Sequence, residues 1–212
     1  MNHQPNWKPE APAIPAKLRE DGELEEIVRQ AIRTKDDVEG RRFERQPLED
    51  VNFGVLQFTG CVFEKCLFSD WEMRRLDLVD CVFSHCEMGN LFFPAFAMRR
   101  VRFEHCRMTG VAFAEGAMND VTFADCMMDY ASLAQCKLER VEFLRSQLDG
   151  VQTGPHSSGR KRPFPLSMEP YALERSGREH LSAGRHPNDT VRPAGASDQH
   201  RTGVDPVRPA GR

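Results

Sequence analysis

No run of about 18 apolar residues occurs in this chain, so no segment reads as a helix that crosses a bilayer. The first residues, MNHQPNWKPEAPAIP, lack the apolar centre of a secretion signal. These two absences lead us to expect a cytoplasmic protein without a membrane partner. Excess charge is lacking as well, since the net is −3 over 212 residues. So small a net charge demands neither a polyanion nor a lipid surface as partner. Catalytic signatures are missing too: there is no Gly-rich phosphate loop, no HExxH and no GxSxG. An enzyme is therefore not expected, nor a cofactor, nor a metal. Seven cysteines is an odd number. Without an export signal they are expected as reduced thiols rather than a disulfide framework.

What is present is a period. Reading from Phe43 in steps of five gives Phe, Leu or Met at every position through Leu148, with Phe53, Phe58, Phe63, Phe68 and Met73 early and Leu133, Leu138 and Phe143 late. A helix of period 3.6 or a flat strand of period 2 cannot hold every fifth residue on one side for so long. A chain that turns a corner every five residues can, and four corners make a coil of twenty. The longer period is visible as CVFEKC at 61, CVFSHC at 81, VRFEHC at 101 and VTFADC at 121. Phe63, Phe83, Phe103, Phe123 and Phe143 are thereby expected to stack as one internal column.

Residues 41–150 resemble the pentapeptide repeat family, commonly written A(D/N)LXX. The resemblance implies an all-β solenoid, a right-handed quadrilateral parallel β-helix of about five to six coils. Large residues at Leu56, Trp71, Leu76, Leu91 and Phe96, two before the repeat centres, depart from the family's small residue there. Widened coils are expected around residues 71–96, with Gly116 making room for Phe96.

All seven cysteines fall two residues before a centre, the second inward position. Cys66, Cys86, Cys106 and Cys126 then form a column ending at Ser146, packing as small hydrophobes rather than as ligands or redox groups. Residues 1–16, rich in proline, read as a flexible arm. Residues 17–40 read as an N-terminal capping helix with Asp21 as its N-cap and Leu24, Ile27, Val28, Ala31 and Ile32 on one face. Residues 151–212 carry 10 basic and 6 acidic residues and repeat VRPAG at 191 and 207. They read as a disordered low-complexity tail, in which the apolar stretch from Phe164 to Glu174 is placed to fold back over the open end of the solenoid.

Outward positions of equal phase also stack every twenty residues. One column, Asp80, Arg100, Asp120 and Arg140, is expected as a salt-bridge ladder. A second, Lys65, His85, His105, Asp125 and Arg145, has too few fixed ligands for a metal site. Arg74, Arg75, Arg99, Arg100, Arg102 and Arg107 are the densest basic region and the candidate interaction surface. No aromatic residue is interleaved with them for base stacking, so direct nucleic-acid binding is not expected. These features together point to a non-catalytic protein-binding or scaffold module of bacterial type, with a protein partner and a possible homodimer. The family resemblance supplies an alternative, because some members mimic duplex DNA and protect type II topoisomerases such as gyrase.

Overall fold

The computed structural model describes residues 8–50, 52–153 and the two-residue strand Ser167–Met168. One helix, α1 (Leu24–Thr34), precedes a parallel β-solenoid. The strands are β1 (Val38–Glu39), β2 (Arg42–Glu44), β3 (Pro47–Glu49), β4 (Asn52–Thr59), β5 (Val62–Glu64), β6 (Leu67–Ser69), β7 (Glu72–Ser84), β8 (Phe92–Glu104), β9 (Ala112–Ala124), β10 (Cys136–Leu144) and β11 (Ser167–Met168).

From β1 through β10 every strand pairing joins a residue to the one twenty further on. Phe43 pairs with Phe63, Phe63 with Phe83, Phe83 with Phe103, Phe103 with Phe123 and Phe123 with Phe143. Isolated bridges keep the same step from Leu67 to Glu87, Arg107, Met127 and Gln147, and from Ala112 to Ser132 and Gln152. The expected widening around residues 71–96 therefore does not interrupt the register. Four flat faces result. The first is centred on the Phe43 to Phe143 column and the second on Leu48, Phe68, Met88, Met108 and Met128. The third carries Met73, Phe93, Phe113 and Leu133, and the fourth carries Val38, Phe58, Leu78, Met98, Met118 and Leu138.

Three corners of each coil use left-handed backbone, as at Arg45, Asp50 and Gly60, then Lys65, Asp70 and Asp80, then His85, Asn90 and Arg100. A left-handed residue turns the chain through a corner within one position, and its N–H then reaches the next coil, as in Lys65 to Ser84 O (2.8 Å) and His85 to Glu104 O (2.8 Å). The fourth corner differs. Val55, Arg75, Ala95 and Glu115 lie inside the continuous strands β4, β7, β8 and β9 and have no positive φ. Leu56, Leu76 and Phe96 stand directly after this gentler bend, where the interior accepts a large side chain. Gly116 completes the fit: a Cβ there would meet the Phe96 ring at 2.5 Å.

The core is a set of one-residue-wide columns. Consecutive rings of the Phe column stack with centroids 4.5 to 5.3 Å apart and planes within 23° of parallel, the spacing that parallel strands impose. The seven cysteines are free and buried as expected. Cys66, Cys86, Cys106 and Cys126 donate to the carbonyls of Phe43, Phe63, Phe83 and Phe103, and Ser146 Oγ donates to Phe123 O. Each donor lies 23 residues after its acceptor. Trp71 follows the same rule through Nε1 to Leu48 O (2.8 Å), so this large residue meets the requirement that the small thiols meet. Burial pushes the Cys136 thiol up to about 11 and raises Cys61 and Cys81. Such thiols are poor nucleophiles and poor ligands at neutral pH.

At the N-terminal end α1 buries Leu24, Val28 and Ala31 over the first coil, as its apolar face predicts. Asp21 is not its cap. The N-cap is Glu23, which makes no side-chain cap bond, and the orphan N–H of Leu24 is taken by Gln46 Oε1 from the solenoid (2.6 Å). Residues 8–16 also differ from the flexible arm expected for residues 1–16, because they lie along the solenoid and give backbone hydrogen bonds to Asp80 and Asp120. Buried carboxylates supplied acceptors that the proline-rich composition does not reveal. At the other end, Ser167 and Met168 pair in parallel with Glu142 and Phe143. They belong to the stretch expected to fold back over this edge; the remainder of residues 154–212, expected as a disordered tail, lies outside the described residues.

Candidate binding faces

Side chains at three of five positions point outward, so each face is a grid whose columns can be read from the register. The six arginines of the candidate surface do not come together on this grid. Arg107 is on the second face, Arg102 on the first, Arg99 on the fourth beside Arg100 at its corner, Arg74 on the third, and Arg75 at the corner between the third and fourth. Three of them are engaged. Arg100 chelates Asp80 through Nε and Nη2 (both 2.6 Å), Arg75 Nε reaches both oxygens of Asp77 (2.9 Å), and Arg102 bonds Glu104. Sequence proximity had grouped residues that a coil of twenty distributes around its circumference.

The ladder column forms as discrete pairs. Arg100 holds Asp80, and Arg140 holds Asp120 through Nε (2.5 Å) and Nη2 (2.8 Å). Asp80 is 8% exposed and Asp120 4%. The guanidinium hydrogen bonds keep both carboxyls below the usual range, with burial opposing them and a backbone N–H from the N-terminal segment assisting. In the second column the imidazoles of His85 and His105 stack face to face at 4.7 Å, and Arg145 chelates Asp125. The Arg145 hydrogen bonds hold Asp125 low. With that carboxylate already bound and the histidines stacked on each other, no group able to hold a metal ion is found among the described residues.

Two faces have a character that the sequence reading did not single out. On the third face the outward columns bring Phe92, Pro94, Ala95, Ala112 and Ala114 together, and β8 pairs with β9 so that Phe92 lies beside Ala112. Phe92 is 53% exposed. Arg74, Arg75, Glu72 and Glu115 stand at the margin of this patch. The second face is acidic: Glu49, Asp50, Asp70, Glu87, Asp129 and Asp149 point outward, with Arg107 the basic residue among them. The signal for both was available as residues twenty apart.

The arrangement defines a parallel β-solenoid with filled interior columns and flat outer faces. Residues 76–153 match the family described as "Pentapeptide repeat region". No curated protein matches the sequence. Among solved structures, two trypsin-treated forms of QnrB1, described as a plasmid-mediated fluoroquinolone resistance protein, are similar to it. One is 18% identical, covering 54% of this chain and 71% of that one with a TM-score of 0.32. The other is 18% identical, covering 54% and 72% with a TM-score of 0.28. No helix among the described residues is long and apolar enough to cross a membrane.

Proposed function

We propose that the solenoid is a non-catalytic protein-binding module that docks its partner on the third face. The observation that carries this reading is Phe92, a large aromatic side chain held half-exposed beside alanine and proline, with Glu72, Arg74, Arg75 and Glu115 around them. Protein interfaces have this anatomy, with an apolar and often aromatic centre inside a polar rim. A flat rigid face loses little conformational entropy when it binds, because its backbone is already fixed by the neighbouring coils. The interior supports the same reading, since columns of Phe, Leu, Met and Cys leave no concave space for a substrate.

Affinity capture from a bacterial lysate with the full chain and with Phe92→Glu tests it. One protein retained in near-stoichiometric amount by the unaltered chain, and reduced at least ten-fold by the variant, is expected. Identical eluates from the two baits contradict the docking face.

The acidic second face favours one other reading, protection of a type II topoisomerase by mimicry of the phosphate charge on duplex DNA, as the resemblance implies for some family members. Its test is a gyrase supercoiling assay with quinolone present. Unchanged inhibition at excess protein removes this reading.

A further inference from the structure

The N-terminal segment and the edge beneath it match each other in period. Between the fourth and first faces the corner column reads Gly40, Gly60, Asp80, Arg100, Asp120, Arg140. Arginines alternate with the aspartates, so acceptor carboxylates recur every second coil, about 9.6 Å apart at the spacing of parallel strands. Above this column runs Pro9-Glu10-Ala11-Pro12-Ala13-Ile14-Pro15, with proline at every third residue. Such a segment favours the polyproline II form, which advances about 9.3 Å in three residues. The N–H of Glu10 reaches Asp120 Oδ1 (3.1 Å) and the N–H of Ala13 reaches Asp80 Oδ1 (2.8 Å). One turn of the segment thus spans two coils.

Further along, Gly60 makes room for Pro15, and Gly40 lies at ordinary contact range from it. A Cβ on Gly60 would stand 2.9 Å from Pro15 Cδ, and one on Gly40 would stand 4.0 Å from Pro15 Cγ. An open surface groove of about 460 Å³ lies beside Pro15, lined by Ala13, Lys17, Gly40, Gly60 and Asp80 among others. The carboxylates are oriented independently of the segment, each by the arginine of the next coil. The edge is therefore a preformed pair of acceptors with a cleared groove, whereas the segment itself buries little: Pro9, Pro12 and Ile14 are half-buried and its other residues exposed.

We propose that this edge is a peptide-binding site for extended segments of another protein that carry proline at every third residue, and that residues 9–15 occupy it in cis. Recognition needs a free N–H immediately after each of two prolines, which Glu10 and Ala13 supply. It is separate from the third face, so either site stands without the other. Because the segment is tethered, an outside peptide competes with an effective concentration in the millimolar range. The edge is accordingly closed to weak ligands until the segment is displaced.

The test uses the full chain with Glu10→Pro and Ala13→Pro, which removes both donors and leaves the solenoid unaltered. A fluorescent peptide of residues 8–17 is titrated into this chain and into the unaltered one, with anisotropy as the readout. Saturable binding to the double variant, at least ten-fold tighter than to the unaltered chain, is expected. A peptide bearing the same two prolines should bind at least ten-fold more weakly than the original. Equal binding of both peptides, or binding of neither, overturns the proposal. A second measurement does not depend on the variant: in the unaltered chain, excess peptide should speed hydrogen exchange at the Glu10 and Ala13 amides, and exchange that stays protected overturns the proposal equally.

Discussion

At the scale of single residues, this fold is governed by what the interior position two before each centre must do. It must fill the interior beside the corner, and at Cys61, Cys66, Trp71, Cys81, Cys86, Cys106, Cys126, Cys136 and Ser146 it also donates to a carbonyl 23 residues earlier. Sulfur is thus used for size and for a weak S–H donor. Cys106→Ser, which repeats the arrangement already present at Ser146, should change stability by less than about 1.5 kcal/mol in urea unfolding. Cys106→Leu overfills the same site and should cost about 1 to 3 kcal/mol. A serine variant as damaging as the leucine variant would show that the thiols have a role beyond packing.

The buried aspartates make a prediction in pH. Their folded pKa values lie below the unfolded value of about 3.9, so the stability they contribute is present above that pH and drains away as pH falls through the lowered folded value. Asp120 pairs with Arg140, whose side chain is 34% exposed, so the contribution is that of a half-buried pair. Asp120→Asn should destabilise by about 1 to 2 kcal/mol at pH 7. That gap should hold down to about pH 5 and shrink below about pH 4. Urea midpoints measured from pH 7 to pH 3 check it, and a gap that widens in acid would reverse the assigned sign.

Among the elements, the capping helix shows how local sequence and tertiary context divide the work. Its apolar spacing put Leu24, Val28 and Ala31 on the buried side, and all three are there. Its start could not be placed from the cap rule, because the bond that satisfies Leu24 N–H comes from Gln46, 22 residues away and across a coil. Gln46→Ala should therefore cost about 1 kcal/mol, the usual worth of such a bond. Thermal unfolding checks this against Gln46→Glu, which keeps the acceptor and should lose less. Equal loss in both variants would mean that packing, rather than the acceptor, fixes the helix to the first coil.

The same division explains what could be read in advance. Central residues and cysteines were legible because a period of five fixes their inward direction at any point along the chain. The N-terminal strap was hidden by composition: prolines at 9, 12 and 15 resemble a linker until Asp80 and Asp120 are known to be two coils apart on one edge. The arginines misled for the converse reason. Arg99 and Arg107 are eight residues apart in sequence, yet in a four-sided coil that separation carries one to the fourth face and the other to the second. Phe92, Ala112 and Ser132 are distant in sequence and adjacent in the sheet, so the third-face patch is visible only when residues are taken twenty apart.

At the scale of the whole solenoid, its outward grid separates one face with an apolar centre at Phe92, one acidic face and one edge already occupied by the strap. Neighbouring coils hold each of these surfaces in place, so a partner meets a rigid platform and its choice of face is set by chemistry. Site-directed photocrosslinking tests that choice most directly. Benzoylphenylalanine is placed singly at position 92 on the third face, at 107 on the second and at 102 on the first, and each full chain is irradiated in lysate. The account predicts one discrete adduct from position 92 and none from 102 or 107. An adduct formed from position 107 and absent from 92 would contradict it and transfer the binding role to the acidic face.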